Sequence, residues 1–398
     1  MVKRNAEVAD GKAIRVAWVA HKGAGADTGI NAEKFMQQLL PPDAFVMEDQ
    51  QPDIILFMSG GSERKAISLS EPGHPLLLLS IRGNNAYAAA TEVMAWMVTN
   101  NRWAILSDAM EALKTGLIEN WRQIVHTWRS FRGKKAGLIG SVSEWLVASD
   151  VPAKRFRQVF DVSLATIPWS KLPDYRELEP DPALLQRFKG SQAAGLADAS
   201  RVLALLRQTI LKEGLSAIAV ECFSLVQQQK VTACLALAQL NTEGIVAACE
   251  GDLASMAGMM LLEAVTGSVP WMANTTGLQG NKLLLSHCTA AFNVVSDIKL
   301  ATHYETDCSL AVQGMVTAVE ATLFRLSANL DKAIILTGKV TSHPDFPDAC
   351  RTQVELEISP SASDILKNRP LGNHLLMVPG NWTELLRLVC GYKGITVM

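Results

Sequence analysis

None of the seven cysteines (Cys222, Cys234, Cys249, Cys288, Cys308, Cys350, Cys390) forms a CxxC pair, and their number is odd. That excludes a disulfide framework and a cysteine-built zinc site, and it fits free thiols in a reducing compartment. Long apolar runs are also missing. None approaches the ~18–20 residues of a membrane span. The first apolar stretch, after MVKRNAEVADGK, is about six residues long, too short for the core of a secretion signal. Charged residues make up only 19% of the chain, and a net charge of −2 is spread over both signs. No basic stripe exists, so neither nucleic acid nor an anionic membrane is an expected partner. The expectation is a soluble, cytoplasmic protein.

Several catalytic signatures are absent as well. The segment GAGADTG near Gly23 has neither a complete GxGxxG nor a Walker lysine, which argues against a dinucleotide oxidoreductase. Ser141, in GSVSEW, lacks the G-x-S-x-G elbow of a serine hydrolase. What the chain does have is apolar bulk. Hydrophobic residues are 48% of 398, too many for one ordinary core and enough for two or three domains.

Three textures divide the chain at residues 1–133, 134–268 and 269–398. In the first, AIRVAWVA (Ala13–Ala20), DIILFM (Asp53–Met58) and PLLLLSI (Pro75–Ile81) are unbroken apolar runs, as strands buried on both faces of a parallel sheet require. Helical patterns over Ala88–Val98 and Ala112–Trp128 alternate with them. The second begins with AGLIGSVSEWL, read as a strand, a Gly-Ser turn and a helix. Strands at Ser216–Val220 and Gly244–Cys249 follow, with helices over Leu196–Lys212, Val231–Leu240 and Ala254–Val265. Past Gly267 short β-rich runs (MVTAVEATLFRL, AIILTGKV, QVELEIS, HLLMVPG) predict an antiparallel sheet or barrel, closed by a helix over Trp382–Cys390 and a strand at Ile395–Val397. The fold class is α/β: two parallel-sheet domains followed by a β-rich C-terminal domain.

In parallel sheets ligands bind beyond the carboxyl ends of the strands. Four such ends carry chemistry: Glu221 after SAIAV, Glu250-Gly251-Asp252 after GIVAAC, Asn274 after SVPWM, and His287 after KLLLS. A buried carboxylate without a partner costs several kcal/mol, so Glu250 calls for a cation or a cluster of donors. The plainer reading makes Glu250 and Asp252 acceptors for backbone N–H groups at a helix start. His287 and His374 border strand-like runs, and imidazole with carboxylate suits Mn, Zn or Fe better than Mg or Ca. A lone histidine at a strand end is more often a hydrogen-bonded structural residue. The Gly60-Gly61-Ser62-Glu63 turn either cradles an anion or only reverses the chain.

The segment CLALAQLNTEGIVAACEGDLASMAGMMLLEAVTGSVPWMANTT, then NKLLLSHCTAAF, resembles the core of the L-fucose/L-arabinose isomerase superfamily, most of all its fucose isomerase-like branch. GNHLLMVPGNWTELLRLVCGYKGI resembles that family's Gly-x-His strand, and DIILFMSGGSE and GNNAYAAATEVMAW its N-terminal turn and helix start. The resemblance implies two α/β domains, a β-rich C-terminal domain and a homo-oligomer, trimer or hexamer. It implies interconversion of an aldose and a ketose, a monosaccharide substrate, and a cis-enediol route that uses a divalent metal, typically Mn²⁺. Carried over, Glu250 is a metal ligand and candidate base, and His287 and His374 are ligands. The second acidic ligand falls at Asn274, beside Ala273, where no acid stands. Glu221 or Asp252 would then supply the second carboxylate or touch substrate. The alternative is a non-catalytic or epimerase-like carbohydrate-binding homologue.

Overall fold

A computed structural model describes residues 13–25 and 27–398. The charged start of the chain and Ala26 of the GAGADTG segment lie outside the described residues. The chain divides into two compact units. One runs through Ser130 and takes in Gly391–Gly394; the other comprises Phe131–Cys390 and Ile395–Met398. The segments 134–268 and 269–398, apart from Gly391–Gly394, therefore share one unit.

In the first unit the apolar runs form the middle of a five-stranded parallel sheet. Its strands are β1 (Ile14–Val19), β2 (Phe45–Met47), β3 (Ile54–Phe57), β4 (Leu76–Ser80) and β5 (Ala104–Asp108), in the order β2-β1-β3-β4-β5. Every residue of β3 and β4 is buried, as two covered faces demand. β2 and β5 are short or half-buried edge strands, which is why no unbroken apolar run marks them. The helical pattern over 112–128 resolves into two helices, Ala109–Lys114 and Leu117–Ser130. Gly116, at φ +73° between them, breaks the hydrogen-bond ladder.

The second unit starts with four parallel strands, β6 (Lys135–Ile139), β7 (Ser163–Ile167), β8 (Ala217–Val220) and β9 (Val246–Ala248), in the order β7-β6-β8-β9. The helix expected directly after β6 is not there. Residues 140–152 form an irregular loop, and the next helix is Ala153–Phe160. The reason is tertiary: this loop is docked on the turn that follows β9, where the Ser143 N–H donates to the Glu250 carbonyl at 3.1 Å.

Nine further strands follow: β10 (Trp271–Gln279), β11 (Lys282–His287), β12 (Val295–Ala301), β13 (Ala311–Val316), β14 (Glu320–Leu326), β15 (Lys332–Ser342), β16 (Thr352–Ile358), β17 (His374–Pro379) and β18 (Thr396–Val397). Antiparallel pairing runs β14-β17-β10-β11-β16-β15 and returns from β15 to β14, a closed six-stranded barrel with no free edge in the ring. β18 adds to β15 in parallel, and β12 and β13 form a separate ribbon. The run MVTAVEATLFRL is two strands, β13 and β14, joined by a turn. One helix in this region, Pro360–Asn368, escapes the pattern; the Ser359 hydroxyl caps it by accepting the Ala362 N–H at 3.1 Å. No helix among the described residues is long and apolar enough to cross a membrane.

Candidate metal centre

The carboxyl ends of the second parallel sheet meet one rim of the barrel at Glu250. Beyond β9 the chain turns through two consecutive left-handed residues, Glu250 (φ 57°) and Gly251 (φ +66°). Glycine is required at 251, because a Cβ there would stand 2.2 Å from the Ser141 carbonyl oxygen. A glutamate in the left-handed region is an uncommon conformation, of a kind that collects at functional sites. Gly251 N–H donates to the Val220 carbonyl of β8 at 2.9 Å, and Asp252 caps the helix Leu253–Thr266 by accepting the Ser255 N–H at 2.7 Å. The turn thus points the Glu250 side chain at the barrel rim while its neighbour closes the helix.

Two histidines come from that rim, His287 from the end of β11 and His374 from the start of β17. Glu250 Oε1 lies 3.6 Å from His287 Nε2 and 3.4 Å from His374 Nε2, and the imidazoles pack edge to face with centroids 5.6 Å apart. One ligand atom from each of the three residues falls within 4.8 Å of the others. Ligand atoms about 2.1 Å from a shared ion stand roughly 3.0–3.4 Å apart, so the spacing suits a single cation. A second observation points the same way: both Nε2 atoms are buried and have no hydrogen-bond partner among the described residues. Their other nitrogens are fixed from behind. Thr289 Oγ1 lies 2.9 Å from His287 Nδ1, and His374 Nδ1–H donates to Asp252 Oδ2 at 2.8 Å. This is the outer support that turns the free nitrogen of a ligating imidazole toward its ion.

The remaining oxygen of Glu250 is also taken. Oε2 accepts the Trp145 indole N–H at 2.6 Å. Trp145 comes from the loop after β6, is half exposed, and packs edge to face on Phe223 with centroids 4.7 Å apart. Phe223 in turn meets His303 edge to face at 5.9 Å. An aromatic wall therefore flanks the cluster, with the half-exposed Trp145 indole at its end.

Behind the cluster lies a buried ion network. Asp252 and Arg325 are both fully buried, and Arg325 Nη1 donates to Asp252 Oδ2 at 2.8 Å and to Ser255 Oγ at 2.6 Å. Nη2 reaches Ser149 Oγ at 2.7 Å. Gly372, at φ +150°, makes room for this guanidinium: a Cβ there would sit 2.5 Å from Nη2. The Gly-x-His pattern of β17 thus has two separate causes, close passage of Arg325 at Gly372 and a buried imidazole at His374.

Charge follows geometry. Burial by itself would raise the Glu250 carboxyl, but His287 and His374 outweigh it and hold the carboxyl far below the usual range. Burial also works against the charge on Asp252; Arg325 and His374 overcome it and lower that carboxyl too. Burial lowers His374, yet its bond to Asp252 and the nearby Glu250 carboxylate win and push it up to about 9.

The other residues singled out by sequence are engaged elsewhere. Asn274, in register with His374 on β17, accepts the Asn373 side-chain N–H on its Oδ1 at 2.5 Å and touches Cys350 Sγ at 3.9 Å. Glu221 Oε1 accepts the Ser224 N–H at 2.9 Å, and its Oε2 accepts the Trp169 indole N–H at 3.2 Å. Asp252 stands wholly behind His374. Arg325 carried no sequence signal, because it reaches the site from a strand remote in the chain.

The first unit has its own concavity, of about 870 Å³, beyond the carboxyl ends of β1, β3 and β4. It occupies the switch point of the β2-β1-β3 order and includes His21, Ser59, Gly60, Gly61, Asn84 and Asn85 in its lining. The Gly60–Glu63 turn thus borders a cavity, with the Gly60 N–H bonded to the Asn84 carbonyl at 2.7 Å.

Fold and cluster together describe an α/β chain with a β-barrel and a Glu-His-His group suited to one divalent ion. Relatives carry the description further: the chain is similar to sugar isomerases. It is 27% identical over 192 residues to the sulfoquinovose isomerases of Priestia aryabhattai and Priestia megaterium, a stretch covering 46% of this chain and 43% of each relative. The match therefore spans less than half the length of those two proteins. Against the sulfoquinovose isomerase of Alkalicoccus urumqiensis it is 22% identical over 367 residues, 82% of this chain and 79% of that one. No protein-family profile matches the chain.

Proposed function

We propose that this chain is a metal-dependent aldose-ketose isomerase of fucose isomerase-like fold, working on a monosaccharide through a cis-enediol. The observation that carries the reading is the pair of buried, unpartnered Nε2 atoms aimed at Glu250 Oε1. Glu250, His287 and His374 would hold the ion, with Mn²⁺ the first to test, and three protein ligands leave positions for a substrate. A bound divalent ion supplies Lewis-acid polarisation of the sugar carbonyl and a template for its two oxygens. The chain's own residues do the rest. Trp145 keeps Glu250 presenting one oxygen, Asp252 orients His374, and the exposed indole face offers a platform for the apolar face of a sugar ring.

The relatives' name makes sulfoquinovose the first substrate to assay, beside a panel of neutral aldoses. The protein is proposed to be a cytoplasmic homo-oligomer, trimer or hexamer. The second reading, a non-catalytic or epimerase-like homologue, rests on the amide at Asn274, which brings no charge to the ion. Elemental analysis of purified protein, with NMR detection of ketose after addition of Mn²⁺, separates the two. A metal-free protein that binds sugars without turnover would sink the isomerase reading.

A pH dependence follows from His374. In the metal-free protein its imidazole holds a proton up to about 9, so binding an ion through Nε2 must expel that proton. Apparent Mn²⁺ affinity should therefore rise by up to about tenfold per pH unit between pH 6 and 9 and level off above. Stability runs the other way. A raised imidazole stabilises the metal-free fold fully below its unfolded value, about 6.5, and that contribution is lost as pH climbs through 9. Calorimetric Mn²⁺ titration in buffers of differing ionisation enthalpy reads the released proton; a pH-independent affinity would contradict the assignment of His374.

A further inference from the structure

We infer that Glu305, on the loop between β12 and β13, is the proton-transferring carboxylate of this site, a role that rests on the isomerase reading above. Moving hydrogen between two sugar carbons needs a carboxylate free to gain and lose a proton, and the acids suggested by sequence are not free. Glu250 has Oε1 turned to two imidazoles and Oε2 held by an indole. Asp252 is wholly buried between Arg325, His374 and the Ser255 N–H. Both oxygens of Glu221 accept hydrogen bonds, one from the Ser224 N–H and the other from the Trp169 indole N–H. Position 274 is an amide.

Glu305 differs from all of them. Its half-exposed carboxylate forms no hydrogen bond among the described residues and makes an ion-pair contact with His303, Oε2 lying 3.9 Å from Nε2. His303 is 6% exposed, with Nδ1 3.0 Å from Thr306 Oγ1, and its ring lies against Phe223 of the same aromatic wall that ends at Trp145 and Glu250. The loop is thus tied to the metal cluster through packed rings. The charges facing Glu305 come from His303, Glu250, Cys288 and His287. Burial, with the repulsion of Glu250, raises its carboxyl, which favours a group that exchanges protons over one locked as an anion.

The step balances without any co-reactant. Glu305 takes the hydrogen on C2 as a proton; the C2–H pair becomes the second C1–C2 bond, and the carbonyl π pair moves to O1. The O2 proton passes to the adjacent O1. The C2 carbonyl then re-forms, and the C1–C2 pair takes the proton from Glu305 to C1. C2 is oxidised, C1 is reduced, and Glu305 is restored.

The test uses the full chain loaded with Mn²⁺, as wild type, Glu305→Gln and Glu305→Asp, assayed on whichever aldose the wild type converts. Glu305→Gln should lower kcat by about 10²–10⁴ and should abolish exchange of the C2 hydrogen with D₂O. KM and Mn²⁺ content should stay within about twofold, and Glu305→Asp should recover part of the exchange. A wild type that turns over with Glu305→Gln within fivefold of it overturns the assignment alone. A wild type that turns over no sugar overturns the isomerase reading and this role with it.

Discussion

Replacing Glu250 by glutamine is expected to strip the divalent ion from the protein and to lower turnover by about 10³ or more, a loss of roughly 4 kcal/mol of charge stabilisation. The amide keeps the length of the side chain, and its oxygen can still accept the Trp145 indole N–H, so the rotamer and the left-handed turn should persist. What disappears is the formal negative charge that stands 3.6 and 3.4 Å from the two Nε2 atoms. The remaining donors would be neutral imidazoles, and His374, relieved of one of the two carboxylates that raise it, should titrate lower. Elemental analysis after dialysis and a turnover assay with excess Mn²⁺ check both arms. Full metal occupancy in the variant would remove Glu250 from the ligand set.

Replacing Arg325 by methionine is expected to cost about 3–5 kcal/mol of stability, the usual penalty for stranding one partner of a buried ion pair. Arg325 donates to Asp252, Ser255 and Ser149 from a position with no access to water. Without it the Asp252 carboxylate keeps only His374 and one backbone N–H, and Gly372 leaves a space beside a smaller side chain. The double variant R325M/D252N, which removes the stranded charge, should recover part of the loss, because deleting both ends of a buried pair is milder than deleting one. Denaturant unfolding of the four proteins in the cycle measures this. A single variant within 1 kcal/mol of wild type would show that water reaches Asp252 and that the pair is not a closed unit. Because Asp252 also orients His374, the same variant should bind Mn²⁺ more weakly.

The helix expected after β6 shows where reading a pattern fails. GSVSEWL has an apolar spacing that a helix tolerates, and nothing local forbids one. The Ser143 N–H instead donates to the Glu250 carbonyl, a partner more than a hundred residues away in the chain, and the irregular loop puts Trp145 beside a carboxylate. Glu305 is the opposite case. It sits in a polar, irregular segment, THYETDCS, that offers no periodicity, and only packing of His303 on Phe223 brings it to the site.

Composition and periodicity alone determined the alternation of buried parallel strands with helices, the switch to short antiparallel strands past Gly267, and the strand-end positions of Glu250, His287 and His374. Those follow from short-range rules: apolar runs must be buried, and chain reversals need glycine or a capping side chain. Only the tertiary structure decided that the three residues share one point. It also decided that Asp252 stands behind the cluster rather than in it, and that Arg325 and Trp145 hold the outer positions. The physical reason is that a hydrogen bond or an ion pair acts over about 3 Å in space and is indifferent to separation along the chain, so no local pattern records who the partner is.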